Sequence, residues 1–90
     1  MISFHEFEAE TMAQGFDEVS QRQWPPCTST AEHAHPFSVH GLLVAGEMWL
    51  TVDGQTRHLQ PGDRFDVERG LRHAERYGNE GATSWVARRH

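Results

Sequence analysis

Ninety residues suffice for one hydrophobic core and are too few for two, and an apolar share of 37%, raised by eight glycines, is that of a chain that folds. Thirteen acidic against eight basic residues leave a formal charge of −5, with one basic cluster at Arg88-Arg89, so nucleic acid is excluded as a partner. The longest apolar run, residues 42–45, cannot cross a membrane, no secretory signal is visible, and the single Cys27 cannot form an internal disulfide, so a cytoplasmic protein is expected.

Residues 1–15 make a mixed segment, open between a helical turn, an edge strand and a dimer contact, ahead of a β domain over residues 16–90. Glu18–Trp24 reads as a strand, closed by Pro25-Pro26, which cannot donate ladder hydrogen bonds. A loop of small residues follows at 27–31. Residues 39–45 form a mostly apolar strand, which Gly46-Glu47 separates from a second one at 48–52, rich in β-formers. Asp53-Gly54 between such runs is a strong hairpin signal, since both positions accept positive φ.

Gln55–Leu59 is the return strand, Gln60-Pro61-Gly62-Asp63 a turn, and Arg64–Val67 alternates apolar with polar. After a turn at Arg69-Gly70, residues 72–77 and 82–87 make the last pair, joined by Gly78-Asn79-Glu80-Gly81. Seven or eight short strands with almost no helical period predict an all-β barrel or sandwich, whose closure removes exposed edges. At this size a homodimer that buries apolar strands is also expected.

Three of the seven histidines fall within Glu32-His33-Ala34-His35-Pro36-Phe37-Ser38-Val39-His40-Gly41. Strand alternation turns residues i and i+2 to one face, so His33 and His35 can converge within about 7 Å of strand. Whether they bind metal or are ordinary polar side chains depends on the fold bringing a further ligand to them.

The span from His33 to Tyr77 resembles the cupin family, which carries two linked motifs. The first has a His-x-His pair, then Glu after three or four residues, then Gly after six more. Here His33-Ala34-His35 and Gly46 match, while Val39 or His40 stands at the glutamate position. The second motif reads Gly, five residues, Pro-x-Gly, two residues, His, three residues, Asn. Gly62, Gly70 and His73 match it, Glu68 replaces the proline and Tyr77 the asparagine.

The resemblance implies a single-domain cupin-type jelly-roll barrel in which His33, His35 and His73 ligate one divalent transition metal (Fe, Ni, Cu, Zn or Mn), with a position open to water or substrate. Imidazoles suit such ions better than Mg or Ca, which want oxygen donors. His40 is a candidate fourth ligand, although alternation from Val39 puts it on the opposite face unless a bulge shifts the register. Glu75 stands two residues after His73 and shares its face. It is the candidate catalytic acid-base group, with a ligand-orienting role or a solvated surface position as alternatives.

The remaining histidines, His5, His58 and His90, lack motif context and are expected at the surface, and Cys27 has no activating partner. Trp24, Trp49 and Trp85 are expected in the core, at a dimer contact or along a pocket wall. Three functions fit: a small metal-dependent enzyme of oxygenase or isomerase type acting on a polar or aromatic molecule, a noncatalytic small-molecule-binding module, and a metal-free structural barrel. Fold alone does not choose among them.

Overall fold

In a computed structural model, which describes residues 1–90, the N-terminal segment is a helix, α1 (Phe4–Ala13), and not an edge strand. The reason is local. The Ser3 hydroxyl accepts from the Glu6 backbone N–H, and the Glu6 carboxylate accepts from the Ser3 N–H, a reciprocal cap that satisfies two otherwise orphaned donors. These bonds to Ser3 also hold the Glu6 carboxyl below its ordinary pKa. The signal is the Ser-x-x-Glu spacing, which an apolar count passes over.

Five strands follow: β1 (Glu18–Trp24), β2 (Ser38–Val52), β3 (Gln55–Leu59), β4 (Arg64–Val67) and β5 (Ala74–Arg89). They form one antiparallel sheet in the order β1-β5-β2-β3, with β4 also on β2. The count is lower than the expected seven or eight because Gly46 and Gly81 bend strands instead of ending them. Both take positive φ, 82° and 73°, and a Cβ at Gly46 would overlap the Gly81 carbonyl. Register shifts in β2 fall between Leu43 and Ala45 and between Gly46 and Met48, where a bulge kinks the strand without breaking it. A glycine-rich turn and a glycine bulge have the same composition, so residue type alone does not separate them.

The bends divide the sheet into two halves. In one, β1, the second half of β5, the first half of β2 and β4 lie side by side. In the other, the first half of β5 and the second half of β2 lie between β3 and the segment 27–33, which bridges to β5 at Ser29–Arg76 and to the residue just before it at His33–His73. The barrel is open: the hydrogen-bonded path ends at β1 and β3, and β4 pairs with β2 alone, so the closure expected from the strand pattern does not occur. Asp53 and Gly54, at φ 52° and 74°, form the expected tight hairpin between β2 and β3.

Alternation gives each half an inner and an outer face. The inner faces share a core that includes Leu43, Met48, Leu59, Phe65, Val67 and Tyr77. On the outer face of the first half, α1 closes a second cluster of Phe7, Leu42 and Ala87. Phe7 is fully buried, which stabilises the docked helix by roughly 1.5–3 kcal/mol. No helix is long and apolar enough to cross a membrane.

Candidate metal centre

Before β5 begins, His73 pairs with His33 across the ladder: each backbone N–H donates to the other's carbonyl at 2.9 Å. Cross-strand partners at such a bridge present their side chains to one face. The His33 and His73 ring centroids are 4.3 Å apart, and His35, two residues along, lies 4.8 Å from His33 and 5.0 Å from His73. One ligand atom from each of the three falls within 4.8 Å of the others, an arrangement that can hold a metal ion.

The protonation pattern follows from the partners. His33 Nδ1 sits 2.8 Å from the Ala31 carbonyl and His73 Nδ1 2.9 Å from that of Leu71. A carbonyl oxygen only accepts, so both Nδ1 atoms carry hydrogen and the neutral rings keep their lone pairs on Nε2. Metal-binding imidazoles are commonly tied in this way. Burial, reinforced by the neighbouring His73 and His33, holds His35 below the ordinary imidazole pKa, which also favours a neutral ring.

Glu75 turns inward beside them, with its side chain 13% exposed. Its Oε1 lies 3.4 Å from His73 Nε2, and its Oε2 accepts from the Tyr77 hydroxyl at 3.3 Å. A carboxylate facing an imidazole lone pair at that distance is repelled unless a proton or cation lies between them. The solvated surface position is therefore not the one Glu75 takes. Burial and the Glu75 carboxylate push the Tyr77 phenol far above its usual range, so it stays a donor.

His33, His35 and Glu75 open into a cavity of about 120 Å³ walled by Trp24, Phe37 and Tyr77. Trp24 and Tyr77 stack at 4.9 Å, and His35 stacks on Phe37 at 4.8 Å. Arg22 and Arg88 line the same cavity.

His40 is not brought to the cluster. Val39 faces the cavity and His40, one residue on, faces out, because the register shifts begin only after Leu43. There it stacks on Phe7 at 6.0 Å, and both ring nitrogens are engaged, Nδ1 by Asp66 at 2.7 Å and Nε2 by Arg64 at 3.3 Å. The expected surface positions hold for His5, His58 and His90, and Cys27 is a free, exposed thiol. Of the three tryptophans only Trp24 lines the cavity; Trp85 packs under α1, and Trp49 carries His58 and Arg76 on its ring. No sequence motif singles out Arg22 and Arg88 as site residues, although Arg22 shares the alternating face of Trp24 on β1 and Arg88 that of Val86 on β5.

The family model for the cupin domain matches residues 22–87. Among solved structures, an RmlC-like cupin from Shewanella frigidimarina is similar over 84% of this chain and 68% of its own, at 22% identity and a TM-score of 0.71. A Cupin 2 conserved barrel domain protein from Salinispora arenicola matches over 80% and 61%, at 23% identity and a TM-score of 0.70. The DMSP lyase DddQ from Ruegeria pomeroyi matches over 80% and 36%, at 27% identity and a TM-score of 0.67. The chain thus spans between 36% and 68% of the length of these proteins. A comparison with curated proteins found no match.

Proposed function

The chain belongs to the cupin family, and from that premise we propose that it is a small metal-dependent enzyme that turns over a compact polar or aromatic molecule by oxygenase- or isomerase-type chemistry. One observation carries the reading. His33 and His73 spend their Nδ1 hydrogens on backbone carbonyls, which leaves their Nε2 lone pairs available, and the two rings gather with His35 so that one ligand atom from each lies within 4.8 Å of the others, beside a cavity that His33 and His35 line. A structural barrel needs no such convergence. That one similar structure is a lyase supports an enzyme over a purely structural role.

The donor set, three neutral imidazoles, fits a divalent transition metal held by His33, His35 and His73. Such an ion supplies Lewis acidity and, with Fe, Cu, Ni or Mn, redox chemistry. The chain's own residues do the rest. Glu75, its Oε2 fixed by Tyr77, takes or returns a proton at Oε1, which faces His73. Trp24, Phe37 and Tyr77 orient a flat or apolar substrate and keep water from its buried side. Val39, where the family motif has glutamate, adds no charge, so Glu75 is the one carboxylate in the cavity wall.

The test is elemental analysis of protein purified without a histidine tag or chelators, beside His33→Ala. Near-stoichiometric metal that disappears in the variant is the expected result. If both proteins lack metal and take none up on reconstitution, the enzyme reading is wrong and the cavity belongs to a noncatalytic binding module.

A further inference from the structure

Two cationic side chains enter the cavity that the histidines do not need. On the inner face of β1, Arg22 makes no ion pair, and its guanidinium lies 5.5 Å from the Trp24 ring. On the inner face of β5, Arg88 stacks 4.6 Å over Phe37. Its nearest acid, Glu18, is 3.8 Å away and is shared with His90, which approaches Glu18 to 2.9 Å. The Arg88 Nε–H is buried and has no acceptor. An unpaired buried donor costs free energy, so this side chain is not held in place by its hydrogen bonds.

These arginines head two series of contacts. One runs Arg22, Trp24, Tyr77, Glu75, and the other Arg88, Phe37, His35. The first passes from a cation across the stacked Trp24 and Tyr77 rings to the carboxylate beside His73, and the second from a cation across Phe37 to His35. The cavity wall itself carries two guanidiniums and one carboxylate, Glu75, which Tyr77 already engages, while Glu18 reaches Arg88 only at 3.8 Å from outside the wall, so the lining is more cationic than anionic on a chain of net charge −5. A low-dielectric wall focuses that field on small anions.

We propose that the cavity selects a small organic carboxylate, its anionic group held by Arg22 and Arg88 and its carbon body lying along the aromatic walls toward the histidines. The proposal deepens the reading of this pocket as a substrate site and rests on it. A guanidinium fork matches a planar carboxylate, and half of the residues lining the cavity are apolar, which suits a body of a few carbons. A phosphoryl group, with three terminal oxygens, asks for more donors. The helix whose N-terminus could supply them, α1, packs on the outer face, against Leu42 and Ala87.

Calorimetric titration of propanoate, malonate and benzoate, each beside its neutral amide and beside inorganic phosphate, tests the assignment on protein as purified and on protein treated with chelator. The expected result is that at least one carboxylate binds, that its amide does not, and that Arg22→Gln and Arg88→Gln each raise Kd at least about tenfold, the loss of one charge-assisted hydrogen bond. Arg22 is exposed and unpaired, so Arg22→Gln keeps the test open should Arg88→Gln unfold. The idea is overturned if no carboxylate binds, if amide or phosphate binds as tightly, or if both variants bind like the parent. Failure of the metal reading is separate: metal is then absent from every preparation, while the dependence of carboxylate binding on the two arginines persists.

Discussion

Two histidine environments lie on opposite faces of the same sheet. Inside, His33 and His73 have Nδ1 tied to a backbone carbonyl and Nε2 without a hydrogen-bond donor, that of His73 facing the Glu75 carboxylate at 3.4 Å. Outside, His40 has Asp66 on one nitrogen and Arg64 on the other, with Phe7 stacked on its ring and Arg64 in turn paired to Glu10 of α1. Residue type is the same, and His40 stands only seven residues after His33. What differs is the supply of lone pairs: the inner rings are open donors to a cation, and the outer ring is a saturated strut between helix and sheet. A histidine becomes a candidate ligand through what its second nitrogen does, not through its proximity in sequence to other histidines.

The comparison breaks most visibly on the outer side. Phe7→Ala removes the anchor of α1 and is expected to cost roughly 3–5 kcal/mol in urea-induced unfolding, yet folded protein should still take up metal, because Phe7 packs only in the outer cluster. Lost metal uptake in a variant shown to be folded would mean that the two faces are coupled.

Next in size is the contrast between ligands. His73→Ala should weaken metal binding by more than about a hundredfold, beyond what loss of an outer partner gives, as read by competition with a chelator. His40→Ala should leave that affinity unchanged and lower stability by about 1 kcal/mol, since Asp66 and Arg64 lose a shared partner at a partly exposed site. The reverse pattern would put His40 in the site.

Tyr77, the only tyrosine, reports how dry the inner face is. Burial and Glu75 raise its pKa in the folded state, so the native protein keeps a proton that the unfolded chain releases near pH 10. Stability is therefore unaffected below that pH and falls above it, by about 1.4 kcal/mol per pH unit for this group alone. Urea midpoints at rising pH, with phenolate absorbance appearing only on unfolding, would bear this out; a phenol that titrates normally in the native state would show a wet cavity.

The smallest effect belongs to the wet outer rim. Arg64 holds the Glu10 carboxyl below its usual pKa, but both side chains are more than a third exposed. Glu10→Gln should accordingly cost under about 1 kcal/mol and fade with added salt. A larger, salt-insensitive loss would mean that the pair is more deeply buried than the structure has it.

Much of this molecule is legible in the order of its residues. The Asp53-Gly54 hairpin, the strands β1, β3 and β4, and the convergence of His33, His35 and His73 follow from turn chemistry, alternation and motif spacing. Less legible are the features in which one residue type serves two ends. Gly46 and Gly81 are compatible with turns as well as bulges, so β2 and β5 each look like two strands in the sequence. In Ser3 and Glu6 the cap is written plainly, but its spacing is polar, and apolar periodicity carries no sign of α1.

The linear chain therefore determined which side chains can bind a metal and the order in which strands succeed one another, because both depend on residue type and local φ and ψ. Only the tertiary structure decided which face His40 takes, that the Glu75 carboxylate meets the Tyr77 hydroxyl, and that Arg22 and Arg88 stand over the same cavity. Those facts depend on where the bulges shift the register. A one-residue shift moves every later side chain of a strand to the other face of the sheet, and that choice is made by the packing of the whole core.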